Sequence, residues 1–344
     1  MSKNTLLMLK DFSQTKHTSP SYYFDLDGIK RFYQSINDRK ISNLKVLFPV
    51  KSFPSKYFLE AINPYIDGFD ISNANELSLV EKYDKILWSS SPMNYLAQDE
   101  RVICDISDIS MITQAKNYSL RINLSEASRF GVPLSEINRE HVQDAAGVHI
   151  HNQGWGKDVM DELFNDVKKI TTHFTEKGIK RFNLGGGFSN ATLSDFLAGL
   201  EKICNDFPDI TFFIEPGRMV ITPNGFIFGR VSNIQNVNSQ KLTRVTTTIS
   251  PLCHLRWEFE SAKIKFFTTT GSKKTTAYKN AIVVGETCYE GDILLKTENL
   301  PLLGINDIVS VSNVSSYGAV WNHAFNGIEK AQLKLVDGGE IVCI

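Results

Sequence analysis

From Tyr22 to about Val220 the chain alternates short apolar runs with amphipathic or polar stretches. Runs of four to five residues, rich in Val, Ile, Leu and Phe, are expected as strands at 46–49, 68–71, 85–88, 102–105, 119–123, 147–151, 181–184 and 211–214. Helical periodicity fills the intervals, most clearly at 27–36, 55–62, 75–83, 158–177 and 193–207. Eight strands with intervening helices predict an α/β fold, a (β/α)8 TIM-type barrel in which the helices cover a parallel sheet. After Pro223 the texture changes. Segments 226–232, 242–249, 264–269, 281–284, 307–311 and 334–336 are β-rich and separated by Gly, Asn, Ser and Lys turns, with 268–279 expected as a hairpin loop. The division expected is a barrel over 20–225 followed by a C-terminal β-domain over 226–344.

Composition narrows the class without changing it. A chain of 344 residues exceeds one average domain, and 42% hydrophobic with 22% charged residues is ordinary for a soluble globular protein. The formal net charge of -1 gives no global attraction to nucleic acid or to an acidic membrane. Leu6-Leu7-Met8-Leu9 is too short for a signal-peptide core, and no stretch approaches a membrane span, so the cytoplasm is expected. The five cysteines, Cys104, Cys204, Cys253, Cys288 and Cys343, are scattered and show no metal-ligand spacing. Neither a disulfide framework nor a metal site is expected from them.

The candidate chemistry falls at the ends of strands. Lys51 closes the apolar run Val46-Leu47-Phe48-Pro49-Val50, which puts its stem in a core and its amine at a rim, a setting that favours attack on a carbonyl. His151, Gly185-Gly186-Gly187 and Glu215-Pro216-Gly217-Arg218 follow three later strands, and the C-terminal rim of such a barrel is where active sites are built. Three consecutive glycines let backbone N–H groups crowd around an anion. His149 and His151 are one residue apart, so both point to the same side of a strand. In the β-rich part stand Cys288-Tyr289-Glu290-Gly291-Asp292 and Tyr317 ahead of Phe325-Asn326-Gly327. A thiol such as that of Cys288 is suited to proton transfer because its pKa is readily tuned toward neutrality.

In this order the motifs resemble the pyridoxal-phosphate decarboxylases that share the alanine-racemase type of barrel, among them ornithine, diaminopimelate and carboxynorspermidine decarboxylases. The resemblance runs from about Tyr22 to about Gly327. It implies pyridoxal 5'-phosphate as cofactor, joined through the amine of Lys51. His151 resembles the histidine that stacks on the ring, with the choice between it and His149 left open. Gly185, Gly186, Gly187, Gly217, Arg218 and Tyr317 would hold the phosphate, and Glu215 would keep the ring nitrogen protonated, which favours decarboxylation over racemisation. Asp70, Glu76 and Arg121 resemble residues that orient His151 or Lys51. Cys288 resembles the cysteine that enters the neighbouring subunit's site to protonate Cα, which implies a homodimer with shared sites. Residues 1–19 are expected to join the β-domain and to add a strand to it.

Three departures matter. The family commonly has Gly-Ala-Tyr where this chain reads Ser315-Ser316-Tyr317, and Asn152-Gln153-Gly154 stands where many members have a Gly-Ser pair that reaches the phosphate. Tyr289 and Glu290 replace the usual substrate carboxylate after the cysteine. With Arg256, which either pairs with a distal anionic group or bridges within its own domain, they are the candidate substrate contacts. The motifs look most like the carboxynorspermidine branch. The reading is decarboxylation of an amino acid or an amino-acid-derived intermediate: a carboxy-aminopropyl compound, or a polyamine, siderophore or peptide precursor. A racemase or epimerase on the same fold and a non-catalytic relative are the alternatives.

Overall fold

The computed structural model describes residues 1–16, 18–90, 95–123, 128–151, 160–188, 193–256, 262–267 and 277–344. The chain divides into two compact units, Lys30–Val220 and Met1–Ile29 together with Ile221–Ile344.

The first unit is a closed parallel barrel. Its eight strands are Leu44–Pro49, Gly68–Ile71, Ile86–Ser89, Val102–Ile106, Tyr118–Asn123, Gly147–Ile150, Arg181–Asn183 and Thr211–Ile214. Each pairs in parallel with the next, and the eighth returns to the first, with Phe212 opposite Leu44 and Ile214 opposite Val46. The barrel and β-domain expected from the sequence are therefore present, and the barrel strands lie within about two residues of their expected bounds. Burial explains the near-continuous apolar runs: the strands are covered on both faces, so no polar alternation is required. Leu47, Trp88, Ile103 and Phe213 form a cluster within this unit. Helices Lys56–Ile62, Ala74–Val80, Met160–Thr175 and Leu193–Asp206 follow strands, and the last buries Phe196, Leu200 and Ile203 at near-helical spacing.

The second unit is built around one long strand, Gly225–Val237. It pairs antiparallel with Ser21–Asp25, Ile308–Ser312 and Leu242–Thr247, and the register shifts between Val231 and Asn233. Such a bulge bends a strand and lets it serve two sets of partners. Ser21–Asp25 also pairs in parallel with Gln332–Asp337, and Leu242–Thr247 with Ala281–Val284.

The N-terminal segment departs from expectation. Residues 1–19 supply a helix, Lys3–Gln14, and the strand that joins the β-domain begins only at Ser21. The local physics favours this outcome. Ser2 caps the helix by accepting from the Thr5 N–H, and Met8 and Phe12, one helical turn apart, are both buried against Tyr23, Phe228, Ile308 and Val336. Arg230 closes the other end by donating to the carbonyls of Phe12 and Thr15, each at 3.1 Å. Most of the expected 268–279 hairpin and the Asn152-Gln153-Gly154 departure lie outside the described residues. The short strand Ala277–Tyr278 pairs antiparallel with Leu300–Pro301.

Candidate active site

Seven of the eight barrel strands carry a polar side chain at or just beyond their C-terminal ends that enters one of two sets, Lys51, Asp70 and Ser90 or Asp105, His149, Asn183 and Glu215, and the charges of Asp70 and Lys51 act on Glu215. Arg121, on the remaining strand, adds its charge to the surroundings of Asp105 and His151. Parallel register puts Arg121, His149 and Asn183 at one level.

Lys51 sits in a single 3-10 turn, Val50–Ser52, directly after the first strand. Its amine is held by a carboxylate from the next strand. Nζ donates to Asp70 Oδ2 at 2.8 Å, and Asp70 is fully buried while Lys51 is partly exposed. Asp70 Oδ1 accepts from the backbone N–H and the hydroxyl of Ser90. The carboxylate thus fixes the amine while being fixed itself. Glu76, in the first turn of Ala74–Val80, accepts from the Ser72 N–H at 2.7 Å. Its carboxyl is raised above the usual range by burial first, with Asp70 adding to the shift and Lys51 opposing it.

Glu215 follows the eighth strand and is almost wholly buried. Asn183 donates to its Oε1 at 2.6 Å, and the Asn183 carbonyl oxygen accepts from the Gly185 N–H at 2.9 Å. One amide therefore couples the glutamate to the glycine run. Burial, with the nearby Asp70 charge, pushes the Glu215 carboxyl up to about 7 against the opposing pull of His149, Lys51 and the Asn183 hydrogen bond. Oε2 has no hydrogen-bond partner.

The glycines are required by space as well as by backbone angle. A Cβ on Gly185, whose φ is +67°, would meet His151 Nδ1 at 2.4 Å. On Gly186 it would meet the Glu215 carbonyl oxygen at 2.9 Å. Gly187 also has positive φ, +85°. A Cβ on Gly217 would meet Ser52 Oγ at 2.3 Å, so the Glu215-Pro216-Gly217-Arg218 loop rests directly on the turn that carries Lys51. Tyr33 steadies that loop by donating to the Pro216 carbonyl at 3.1 Å. Arg218 begins a short helix, Arg218–Ile221, and is exposed.

The two histidines converge as strand geometry predicts, with ring centroids 5.5 Å apart. His149 is buried and bonded through Nδ1 to Asp105, whose other oxygen accepts from Trp88 Nε1 at 2.7 Å and from the Ser119 hydroxyl. Burial alone would raise the Asp105 carboxyl, but His149, Arg121 and Ser119 outweigh it and hold the carboxyl below the usual range. His151 is half-buried, and its pKa is driven well below the usual histidine value by burial first and then by the positive charge of His149, Arg121 and Lys51. Arg121 also lies over the Phe130 ring, 5.0 Å from its centroid. His149 Nε2 and His151 Nδ1 lack hydrogen-bond partners, as does Glu215 Oε2. Donor atoms of His149, His151 and Glu215 lie within 4.8 Å of one another, a grouping that the spacing of histidines and cysteines along the chain does not reveal.

This donor set fits pyridoxal 5'-phosphate. It offers an amine at the rim, a buried carboxyl with a free oxygen to face a ring nitrogen, an imidazole with a free nitrogen, and a glycine run without Cβ atoms. Buried polar atoms left without partners are rare in folded proteins.

The remaining candidates lie in the β-domain unit. Cys288 is exposed, and its backbone N–H donates to Asn326 Oδ1 at 2.8 Å, which ties the cysteine loop to Phe325-Asn326-Gly327. Asp292 is buried and gathers Ser250 Oγ, the Leu252 N–H and Thr287 Oγ1, so the loop is also tied to the helix Pro251–His254. Tyr289 and Glu290 are exposed. Arg256 lies over the Trp321 ring, 5.3 Å from its centroid. Tyr317 stands in Ser316–Val320, a helix capped by Ser315.

Asp105, Ser90 and Asn183 escaped the sequence reading. Their partners lie far away along the chain, and the available signal was only a polar residue near the C-terminal end of each expected strand.

No protein-family model matches the chain. It is 22% identical over 373 residues to the carboxynorspermidine/carboxyspermidine decarboxylase of Campylobacter jejuni, covering 94% of each. It is also 22% identical to the diaminopimelate decarboxylase of Haemophilus influenzae, covering 94% of this chain and 89% of that one. Among solved structures, diaminopimelate decarboxylase from Helicobacter pylori complexed with L-lysine aligns with TM-score 0.78 and 18% identity, covering 97% of this chain and 95% of that one. Carboxynorspermidine decarboxylase from Campylobacter jejuni complexed with norspermidine aligns with TM-score 0.76 and 20% identity, covering 95% and 97%. The homologues of this chain are thus carboxynorspermidine and diaminopimelate decarboxylases, and its fold is the barrel and β-domain of the pyridoxal-phosphate decarboxylases of fold type III.

Proposed function

We propose that this protein is a pyridoxal-phosphate-dependent decarboxylase that removes the α-carboxylate of an amino acid or an amino-acid-derived intermediate, acting in the cytoplasm as a homodimer. The observation that carries this reading is the arrangement inside one barrel of Lys51, held by Asp70, and of Glu215, buried with one oxygen free. The names of the relatives support a substrate in the range of diaminopimelate and carboxy-polyamines.

When bound, the cofactor supplies an electron sink for the pair left at Cα as carbon dioxide departs. Lys51 would hold the cofactor through its amine. Asp70 keeps that amine oriented at the rim. Glu215, as an anion, would hold a proton at the ring nitrogen, and Asn183 fixes the plane of its carboxylate. His151 would offer its imidazole to the ring. Gly185, Gly186, Gly187, Gly217 and Arg218 would receive the phosphate. Cys288, in trans from a second copy, returns a proton to Cα. Arg256, Tyr289 and Glu290 are assigned to the distal end of the substrate.

Purified protein supplemented with the cofactor should be yellow, and Lys51→Ala should abolish the absorbance of the covalent adduct. A screen of amino acids and carboxy-polyamines for carbon dioxide release identifies the substrate. A colourless protein that releases no carbon dioxide from any of them overturns the proposal.

A further inference from the structure

One buried titratable pair in the barrel has no part in the chemistry above. Asp105, on the fourth strand, and His149, on the sixth, are bonded through His149 Nδ1, and both are almost wholly buried. Trp88 and Ser119 donate to the other carboxylate oxygen, so Asp105 is the acceptor in every contact and Nδ1 carries a proton. The proton-exchanging atom of His149 is therefore Nε2. That atom is buried, has no hydrogen-bond partner, and lies 4.0 Å from Glu215 Oε1. The other charged or titratable groups around the pair are Lys51 and Asp70, which act on Glu215, and His151 and Arg121, which lie on the histidine side.

We propose that Asp105 and His149 are positioning residues for Glu215: Asp105 fixes the proton at His149 Nδ1 and so aims Nε2 at Glu215 Oε1 across 4.0 Å, where the histidine opposes the effect of burial and favours the anionic carboxylate. The role deepens the assignment of Glu215 as partner of the ring nitrogen and rests on that reading, since only the anionic carboxylate holds a proton there. An orienting carboxylate behind an imidazole whose far nitrogen faces the reacting group is a general means of fixing tautomer and charge.

The test follows the titration of Glu215. In the full-length protein stripped of cofactor, 13C-carboxyl NMR of labelled glutamate, assigned by difference from Glu215→Gln, gives its midpoint directly. Asp105→Asn should raise that midpoint by roughly one pH unit, as expected for losing a nearby cation. Ser119→Ala, which removes a donor from Asp105 and strengthens its hold on His149, should lower it by a few tenths. In the loaded enzyme the acidic limb of the kcat profile should move in the same two directions. A merely structural pair would give no opposed shifts. Unchanged midpoints in both variants, or shifts of one sign in both, overturn the proposal. Should Asp105→Asn fail to fold, the sign of the Ser119→Ala shift decides. The NMR arm needs no cofactor, so a wild type that binds none sinks the reading of Glu215 while this titration still stands or falls by itself.

Discussion

Lys51 Nζ and Asp70 Oδ2 are joined at 2.8 Å, with the lysine side chain 37% exposed and the aspartate sealed from solvent. The asymmetry makes the carboxylate the more demanding partner, because a buried charge without its counterion is costly. Replacing Lys51 by Met should therefore destabilise the protein by about 2 kcal/mol, more than the loss of a surface ion pair. Asp70→Asn, which removes the buried charge and leaves only the partly exposed Lys51 ammonium, should cost less stability and more activity. Urea denaturation and steady-state kinetics on the two variants test the ordering.

Glu215 predicts a pH slope for the protein without cofactor. Burial raises its folded pKa to about 7 from the ordinary 4.5, so the folded state binds the proton more tightly than the unfolded chain. This contribution is fully present below 4.5 and is lost as pH rises through about 7, amounting to about 3 kcal/mol at most. Glu215→Gln should flatten the slope between these limits in a series of denaturation curves.

His254 predicts the reverse slope. It is buried in the β-domain, where Nδ1 accepts from the Ser250 N–H at 3.0 Å, and burial lowers its pKa to about 4 from 6.5. The unfolded chain takes up the proton first, so stability present above 6.5 is lost as pH falls toward 4. His254→Gln should reduce the acid sensitivity of unfolding followed by a β-domain probe such as Trp321 fluorescence.

Gly185→Ala should displace His151, since the new Cβ would lie 2.4 Å from Nδ1 on a backbone with φ of +67°. A loss of about 1–2 kcal/mol in stability is expected from strain alone. Cofactor affinity, read by equilibrium dialysis with absorbance detection, should fall at least tenfold.

Asn326→Ala should free the Cys288 loop. Asn326 combines positive φ, +64°, with a side chain that accepts from the Cys288 N–H, and alanine provides neither feature comfortably. Alkylation of Cys288 should become faster, and the Cys288 amide should exchange with solvent more rapidly. Asn326→Gly, which relieves the backbone but keeps no acceptor, should give the same change in exchange at a smaller cost in stability.

The barrel was legible because burial on both faces leaves an unbroken apolar signature at regular intervals. Strand ends then marked Lys51, His151, Gly185 and Glu215 without reference to three dimensions. Asp105 was not legible: it resembles any polar residue after Val102-Ile103-Cys104, and its partner His149 is 44 positions away. Pairing of both their strands with Tyr118–Asn123 makes the two neighbours. The N-terminal helix was misread for the opposite reason. A resemblance supplied a strand where Ser2, Met8 and Phe12 already carried the spacing of a capped, one-sided helix. Ile293–Thr297 and Glu340–Cys343 also escaped, the latter being a short edge strand that is nowhere buried.

Arg230 grips the end of the first helix through three backbone carbonyls, and Lys334, nearly buried, finds its counterion in Asp11 of the same helix. A shortened version of the chain starting at residue 18 would strip both cations of these partners and uncover Phe228 and Ile308. Trimming for crystallisation should begin elsewhere, and an affinity tag belongs at the C-terminus, away from the Ser2 cap.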